Sequence, residues 1–326
     1  MPKVSVIVPV FKVETYIERC VRSLFRQTLQ DVEFLFVDDC TPDQSIKILE
    51  TLIEEYREHI AEMNWVVRME QMPTNGGQAT VRRYGMQLVT GDYVIQCDSD
   101  DWMEGNMLEE MWHKAVHEGL DVVICDFYHD KQNQRIYYKG TRSNDTESIF
   151  YEILSARSSW ALFNKLFNRR LYDKNAIVYP EDGKNMGEDM LLTVQLLYYS
   201  KNAGEIGYIS KPLYHYCENQ NSITNQNSAR QVLMNTLCWK INMYSLEDFL
   251  KKKDYSKKAK DSIIFVKYLA KERILPFIDE KKYAVAWRSL FKEINYKILL
   301  SPMISRQSKR TYCKNYIRTL FTIVWK

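Results

Sequence analysis

The sequence lacks closely spaced cysteine pairs, long apolar runs and the glycine pattern of dinucleotide-binding loops. Its seven cysteines are scattered and form no C-x-x-C motif, which argues against a zinc ribbon and a thioredoxin-like site. Their odd number, with several in apolar runs, predicts reduced core thiols in an intracellular protein. No run approaches the roughly 18 apolar residues that a spanning helix needs. Without G-x-G-x-x-G, a dinucleotide-dependent oxidoreductase is not expected.

The composition is that of a globular protein. Hydrophobic residues make up 45% of the chain and aromatic residues 13%, so a sizeable core can be buried. The first apolar run, Val4–Val10, follows a lysine but is short and contains Pro9. It also has no small-residue cleavage site after it, so we do not expect a signal peptide.

Charge is unevenly distributed along the chain, although the net charge is only +3. Residues 226–326 contain 22 Lys and Arg against 8 Asp and Glu, a balance of +14. Residues 1–225 hold the other 23 basic and 34 acidic residues, a balance of −11. This contrast predicts two regions with different partners, and we place the domain boundary near residue 226.

Short apolar runs alternate with amphipathic ones over the first 130 residues. The runs that predict buried strands are Val4–Val10 and residues 33–39, 65–71, 93–98 and 121–126. Helical spacing lies between them, so we expect an α/β fold with a mostly parallel, Rossmann-like sheet and flanking helices. Ligands bind such sheets beyond the carboxyl ends of the strands. After residue 226 the pattern predicts mainly helices with basic turns.

Carboxylates follow two of these strands at the edge where ligands bind. Asp38 and Asp39 end the second predicted strand, and the fourth runs into a cluster that contains Asp98 and Asp100. Alternate residues of an extended chain point to the same side, so this second pair can converge on one cation. Oxygen ligands suit Mg²⁺ or Mn²⁺ held together with substrate phosphates. From these residues alone, a solvated acidic loop or a helix cap explains the cluster equally well.

Two further motifs carry possible chemistry. Asn75 and Gly77 belong to an Asn-Gly-Gly loop in which the backbone can approach a phosphate, and Arg82 follows on a predicted helix. Glu188 and Asp189 precede an apolar helix predicted over residues 190–199, and a carboxylate there can act as a general base. An ordinary loop and a helix cap are the structural alternatives for these two motifs.

Taken in order, these motifs resemble the inverting glycosyltransferases of family 2, which have the GT-A fold. The residues that carry the resemblance are 4–11, 16–20, 23–28, 37–43, 75–85, 90–93, 98–101, 164–167, 188–189 and 212–216. The ordered set is specific, although each piece alone is not. The resemblance implies a GT-A nucleotide-sugar-binding and catalytic domain over residues 1–225, followed by the basic helical region 226–326.

The resemblance also implies roles for the residues that would bind the donor. Asp39 would bond the uracil of a UDP-sugar, with the backbone around Pro9 and Phe11 beside the base. Asp98 would contact the ribose or the metal, and Asp100 would ligate the Mg²⁺ or Mn²⁺ that bridges the diphosphate. The cysteine at position 40 replaces a glycine common in the family, and we expect this to change the turn little.

For the acceptor side, the resemblance implies that Asp189 deprotonates the acceptor hydroxyl for in-line attack at the anomeric carbon. Asn75 and Gly77 would lie against the donor, while Arg82 and Lys165 would contact a phosphate or the acceptor. The Gly-Gly-Gln variant at positions 76–78 leaves the preferred base and sugar open.

The function implied is transfer of a sugar from a nucleotide-sugar to a glycan or lipid-linked acceptor. The pathway would be polysaccharide, capsule or lipopolysaccharide synthesis, in the cytoplasm or at the inner face of the cell membrane. One alternative is a non-catalytic sugar- or partner-binding protein on the same fold. Another is a nucleotidyltransferase, which is disfavoured because no glycine-rich basic loop follows the first strand. Nucleic acid is not expected as a partner, since no binding motif accompanies the basic charge.

The end of the chain carries an apolar stripe at helical spacing among basic residues. Its members are Cys313, Tyr316, Ile317, Leu320, Phe321 and Val324. One interpretation is a peripheral helix that lies on an anionic membrane surface. The other is that the stripe docks on the catalytic domain with the lysines in solvent.

Overall fold

The computed structural model describes residues 1–132, 134–201, 206–219, 228–253 and 255–325. The strands are β1 Val4–Val10, β2 Val32–Asp38, β3 Val66–Gln71, β4 Tyr93–Gln96, β5 Trp102–Met103, β6 Val122–Lys131, β7 Gln134–Tyr138, β8 Lys165–Asn168 and β9 Ile206–Cys217. The α-helices are α1 Ile17–Leu24, α2 Ser45–Glu55, α3 Arg57–Glu62, α4 Gln78–Leu88, α5 Met107–Glu118, α6 Thr146–Leu154, α7 Arg170–Asp173, α8 Glu188–Lys201, α9 Ala229–Lys253, α10 Lys257–Ile274, α11 Lys281–Ser289, α12 Lys297–Leu300 and α13 Arg306–Trp325.

The sheet changes character halfway across. Its order is β3-β2-β1-β4-β8-β6-β9-β5, with β7 paired to β6 outside this path. Strands β3, β2, β1 and β4 are parallel to one another, whereas β8 is antiparallel to both β4 and β6. The α/β fold with a Rossmann-like parallel half is therefore confirmed, and the second half is mixed. The carboxyl ends of β1, β2 and β4 lie at one edge.

The central strand β1 owes its place to β-branched residues that are buried on both faces. Pro9 has no N–H to donate to a neighbouring strand. The β1–β4 ladder ends at Ile7, so the proline lies beyond it and interrupts no bond with β4. The backbone of β1 can therefore continue to the binding edge.

The predicted strands differ from the observed ones mainly at their carboxyl ends. The fourth was predicted to reach residue 98 but ends at Gln96, because the chain leaves the sheet before the acidic cluster. The second ends at Asp38, which leaves Asp39 in the loop at the binding edge. The fifth continues to Lys131, five residues past its predicted end, because it also pairs with β7 and β9.

The helices after residue 228 share a core with residues 122–206. Helix α8 is buried almost all round, since α6 and α9 pack against it, and this explains why apolar residues lie on all of its faces. One continuous cluster of buried side chains includes Leu191 of α8, Trp239 and Met243 of α9, and Trp287 of α11. The predicted boundary near 226 lies outside the described residues, and the division into domains stays a prediction.

Two further expectations concerned reduced cysteines in the core and the lack of a membrane-spanning run. All seven cysteines are free, and Cys20, Cys97, Cys125 and Cys217 are buried. In the described part of the chain, no helix is both long enough and apolar enough to cross a membrane.

Candidate active site

Asp39 joins the end of β2 to the loop that precedes α4. Its two carboxylate oxygens accept hydrogen bonds from the backbone N–H groups of Gly76 at 2.7 Å and Gly77 at 2.8 Å. The Asn75 side chain donates to the Asp39 carbonyl at 3.0 Å. Asp39 is 3% exposed, and each of its carboxylate oxygens has one further acceptor position beyond these bonds.

Gly77 lies where no other residue fits without movement. Its φ is +76°, and a Cβ at this position would lie 2.4 Å from Nδ2 of Asn185. Oδ1 of Asn185 accepts from the backbone N–H of Ala79 at 3.0 Å. The N–H groups of Gly76, Gly77 and Ala79 thus bond within the protein, although the loop was expected to offer its N–H groups to a phosphate.

Arg82 lies at the centre of a buried ionic cluster and is 3% exposed. Its Nη2 donates to Oδ1 of Asp98 at 2.5 Å, and its Nη1 donates to Glu188 and Asp189 at 2.9 Å each. Desolvation lowers the pKa of Arg82, but the three carboxylates outweigh it and hold that pKa well above its ordinary value. The structure therefore places Arg82 between carboxylates, where a phosphate or acceptor contact was expected.

Glu188 and Asp189 begin helix α8 but differ in accessibility. The side chain of Glu188 is 2% exposed and that of Asp189 is 43% exposed. Desolvation by the surrounding protein raises the pKa of both carboxyls, and the charge of Arg82 acts against it. The exposed fractions decide which carboxylate a substrate can reach. Asp189 is accessible from solvent, whereas Glu188 is enclosed by protein.

The acidic cluster after β4 divides into two kinds of residue. Asp101 is fully buried and accepts from the Tyr214 hydroxyl at 2.8 Å and the Cys217 N–H at 2.7 Å, so it anchors β9. Asp100 accepts from the Asn219 side chain at 2.9 Å. Burial and the nearby charge of Asp98 raise the pKa of Asp100.

Asp98 and Asp100 fit a divalent cation only in part. Across the described ranges, no group of three or more His, Cys, Asp or Glu is arranged to hold a metal. The protein would thus supply a pair of carboxylates, with phosphate and water completing the shell, as is usual for Mg²⁺. The unfavourable charge between the two carboxyls is what a cation would relieve.

Lys165 lies beneath the site and is fully buried. Its ammonium donates to the carbonyls of Ser159 at 3.0 Å and Ala161 at 2.6 Å, and to Oδ1 of Asn164 at 2.8 Å. Desolvation lowers the pKa of Lys165 to about 7. Since all three N–H groups are used, the structure gives this lysine a supporting place and no direct opening to a donor.

The loop after β1 lies beside the loop after β2. The N–H of Asp39 donates to the Val10 carbonyl at 3.0 Å, and the N–H of Lys12 donates to Oγ1 of Thr41 at 2.8 Å. Phe11 is 39% exposed. Thus the backbone that follows Pro9 lies next to Asp39, and the role of Pro9 and Phe11 beside a base stays a prediction.

Cys40 holds its turn in the left-handed conformation that a glycine would adopt there. Its φ is +57°, a left-handed conformation that glycine adopts freely and other residues adopt at a cost of roughly 1–2 kcal/mol. Its thiol donates to the Met72 carbonyl at 3.0 Å, which offsets part of this cost. The cysteine is therefore accommodated in a glycine-like turn at some cost in backbone energy, and the expectation that the turn changes little stays a prediction.

The sequence motifs did not reveal two asparagines that support this site, the buried Asn242 and the half-buried Asn185. Asn242 of α9 donates from one side-chain nitrogen to the carbonyls of Lys184 at 2.9 Å and Met186 at 2.8 Å. Together with Asn185, it fixes the loop that leads into α8. The only local signal was a polar residue between Trp239 and Met243 on the apolar face of a predicted helix.

Comparisons with known proteins agree with this geometry. The sequence model of the family described as Glycosyl transferase family 2 matches residues 5–180. The chain is 30% identical over 232 residues to the uncharacterized glycosyltransferase EpsJ of Bacillus subtilis, covering 69% of this chain and 63% of EpsJ. It is 29% identical over 226 residues to the poly(ribitol-phosphate) beta-N-acetylglucosaminyltransferase TarP of Staphylococcus aureus, covering 66% of this chain and 62% of TarP. The chain thus spans less than two thirds of either relative.

A solved structure shares the fold over nearly the whole chain. It is S. aureus TarS 1-349 in complex with UDP, which has a TM-score of 0.64 and 18% identity and covers 98% of this chain and 89% of that one. At this identity the likeness establishes the fold alone. With the family match over more than half of the residues, the chain belongs to glycosyl transferase family 2 and has the GT-A fold.

Proposed function

We propose that the protein is a metal-dependent, inverting glycosyltransferase that moves a sugar from a nucleotide-sugar, preferably a UDP-sugar, to an acceptor hydroxyl. The observation that carries the proposal is Arg82, which joins Asp98 beyond β4 to Asp189 at the start of α8. Displacement of a diphosphate needs a site for the leaving group and a base for the nucleophile. Arg82 would fix the position of the leaving-group site relative to the base.

On the donor side, Asp39 would accept from the base, and Pro9 and Phe11 would lie along it. Asn75 and Gly77 would shape the wall of the site through their bonds and contacts with neighbouring loops. Asp98 and Asp100 would hold Mg²⁺ or Mn²⁺. When bound, such an ion would neutralise the charge that develops on the diphosphate leaving group.

On the acceptor side, Asp189 would accept the proton of the attacking hydroxyl. The hydroxyl oxygen forms a bond to the anomeric carbon as the bond from that carbon to the diphosphate oxygen breaks. Attack from the opposite face inverts the configuration. Arg82 would keep the carboxylate of Asp189 ionised and oriented, and Lys165 would contribute positive charge from below.

The named relatives and solved neighbours support the donor class and the metal. TarS has been solved with UDP and with UDP-GlcNAc. A mannosyltransferase from Pyrobaculum calidifontis, at a TM-score of 0.55 and 13% identity, was solved with GDP-Man and Mn²⁺. These ligands make UDP-sugars the first donors to test and GDP-sugars the second.

The acceptor in this proposal is a glycan or a lipid-linked glycan in polysaccharide, capsule or lipopolysaccharide synthesis. TarP and TarS, named for transfer to poly(ribitol-phosphate), support a cell-surface polymer pathway. We place the protein in the cytoplasm or at the inner face of the membrane. Residues 1–225 would form the catalytic domain, and the basic region 226–326 would make the membrane contact.

Calorimetry of donor binding, followed by a UDP-release assay, tests the proposal. A panel of nucleotide-sugars is measured with Mn²⁺ or with chelator on the wild type, Asp100→Ala and the control Glu118→Ala, which changes an exposed carboxylate on α5. We expect metal-dependent binding of one donor, lost only in Asp100→Ala. Failure of every nucleotide-sugar to bind would contradict the proposal and favour a non-catalytic partner-binding protein.

A further inference from the structure

Helix α13 has one face that packs on the rest of the protein. Tyr312 and Thr319 are buried there, and the Tyr312 ring lies 5.1 Å from that of Trp287 on α11. The Arg288 guanidinium donates to the Tyr316 carbonyl at 2.9 Å and lies 3.9 Å from the Tyr316 ring. This face accounts for the attachment of the helix, and it includes Tyr316 of the predicted apolar stripe.

The opposite face of α13 is apolar and exposed. Ile317, Leu320, Phe321 and Val324 are 55%, 43%, 62% and 68% exposed, respectively. Their spacing of three, one and three residues places them on a single stripe of the helix. The attachment of α13 therefore does not use these four side chains, and the stripe remains open to a partner.

Positive charge surrounds and extends this stripe. Arg310 and Lys314 are exposed seven and three residues before Ile317, which places them on the same side of the helix. Neither forms an ion pair with any described residue. The helix sequence contains no Asp or Glu, and Arg318 is its one cation that forms an ion pair within the described part of the chain, with Asp279.

We infer that this face of α13 docks on an anionic lipid surface. Ile317, Leu320, Phe321 and Val324 would enter the boundary between headgroups and acyl chains, and Arg310 and Lys314 would lie at the headgroup phosphates. A second copy of the chain fits less well. Pairing the stripe with itself would bring cations of both copies together without acids to balance them.

This inference rests on the membrane contact of the proposed function and assigns it to one face of one helix. Its test does not require sugar transfer. The full-length protein is floated with vesicles of phosphatidylcholine, with and without phosphatidylglycerol, at low and high salt. We expect flotation only with the anionic vesicles and a decrease at high salt.

Three variants assign the effect to the stripe. Phe321→Glu should lower partitioning about tenfold or more, since it removes a large apolar side chain and adds a negative charge. Val116→Glu makes a similar change at a 52% exposed position of α5 and should bind as the wild type does. The double variant Arg310→Gln/Lys314→Gln should weaken binding by more than tenfold and reduce its dependence on salt, at roughly fivefold per charge. Circular dichroism checks that each variant is folded.

Several outcomes would overturn the inference: no flotation of the wild type, equal flotation of wild type and Phe321→Glu, or an equal loss in Val116→Glu. Dimerisation in sedimentation without flotation would also overturn it and favour a second copy. Donor binding is measured on the same samples. Donor binding without flotation counts against this inference alone, and flotation without donor binding counts against the proposed transferase alone.

Discussion

Asp98 and Asp189 accept hydrogen bonds from the two terminal nitrogens of a single guanidinium, that of Arg82, at 2.5 and 2.9 Å. One carboxylate follows the parallel sheet and the other begins a helix that packs under the C-terminal region. A displacement of either element would therefore change the position of the other carboxylate. The first prediction concerns Arg82, which links the proposed leaving-group site to the proposed base.

Replacement of Arg82 by glutamine should strongly destabilise the protein and abolish transfer. It would leave Asp98, Glu188 and Asp189 without their shared cation, and breaking a buried ionic group costs about 3–5 kcal/mol. Arg83→Gln is a matched control, since that neighbour pairs with the exposed Asp182 and should cost less than about 1 kcal/mol. Urea unfolding measures both, and equal midpoints would refute the structural role of Arg82.

Replacement of Asp189 by asparagine should remove turnover while donor affinity is kept. The amide cannot take the acceptor proton, and loss of a general base typically lowers kcat by about 10²–10⁴. Asp182→Asn, an exposed change in the preceding loop, serves as control. Turnover of Asp189→Asn close to the wild-type rate would exclude it as the base.

The pH dependence of kcat is a second test of Asp189 as the proposed base. Because desolvation raises its pKa and only the ionised carboxylate accepts a proton, activity should fall as pH decreases through a pKa above that of free aspartate, about 4. Steady-state rates across pH, with folding checked by fluorescence, would show this limb. A flat profile down to the free-aspartate value would contradict it.

Replacement of Gly77 by alanine should weaken donor binding and stability. Its added Cβ would meet the Asn185 side chain in addition to the strain of a positive φ. Gly183→Ala separates the two effects, because Gly183 has φ +73° but nothing within 4 Å of the new Cβ. We expect the free energy of unfolding to decrease by about 1 kcal/mol in Gly183→Ala and by more in Gly77→Ala. Calorimetry of donor binding should show a loss only in the latter.

Replacement of Asn242 by leucine should lower kcat more than it affects donor binding. The change leaves the Lys184 and Met186 carbonyls unpaired, which costs about 1–3 kcal/mol and frees the loop before α8. Thr236→Val, a buried change on the same helix, removes a bond only to the helix's own Val232 carbonyl. Comparison of kcat, donor Kd and unfolding midpoint separates a positioning effect from simple destabilisation.

The sequence was most informative where signals are local. The β-branched run of β1 was predicted with the bounds that the structure has, because burial on both faces leaves few alternatives to a strand. The acids after β2 and β4 were likewise placed at the correct edge, since parallel strands end together. The metal, the base and the donor contacts stay predictions that only ligands can test.

Other features depend on contacts between residues that belong to different elements of the fold, most of them more than 50 positions apart. Nothing near Arg82 in the sequence indicates that Asp98, Glu188 and Asp189 all converge on it. The anchor role of Asp101 depends on Tyr214, and the support from Asn242 depends on a loop some 56 residues earlier. Lys165 was expected near the donor, but the structure buries it. This burial results from packing around β8, which no motif encodes.

Because α8 shares a core with α9 and α11, only some chimeras between this protein and its relatives should fold with their site intact. A chimera that exchanges everything after residue 226 would replace Trp239 and Asn242, on which the approach to Asp189 rests. Exchange of the C-terminal half would therefore not transfer acceptor preference alone, because the graft would also shift Asp189, the proposed base. Recombination within this family should tolerate junctions only where α8 and α9 come from the same parent.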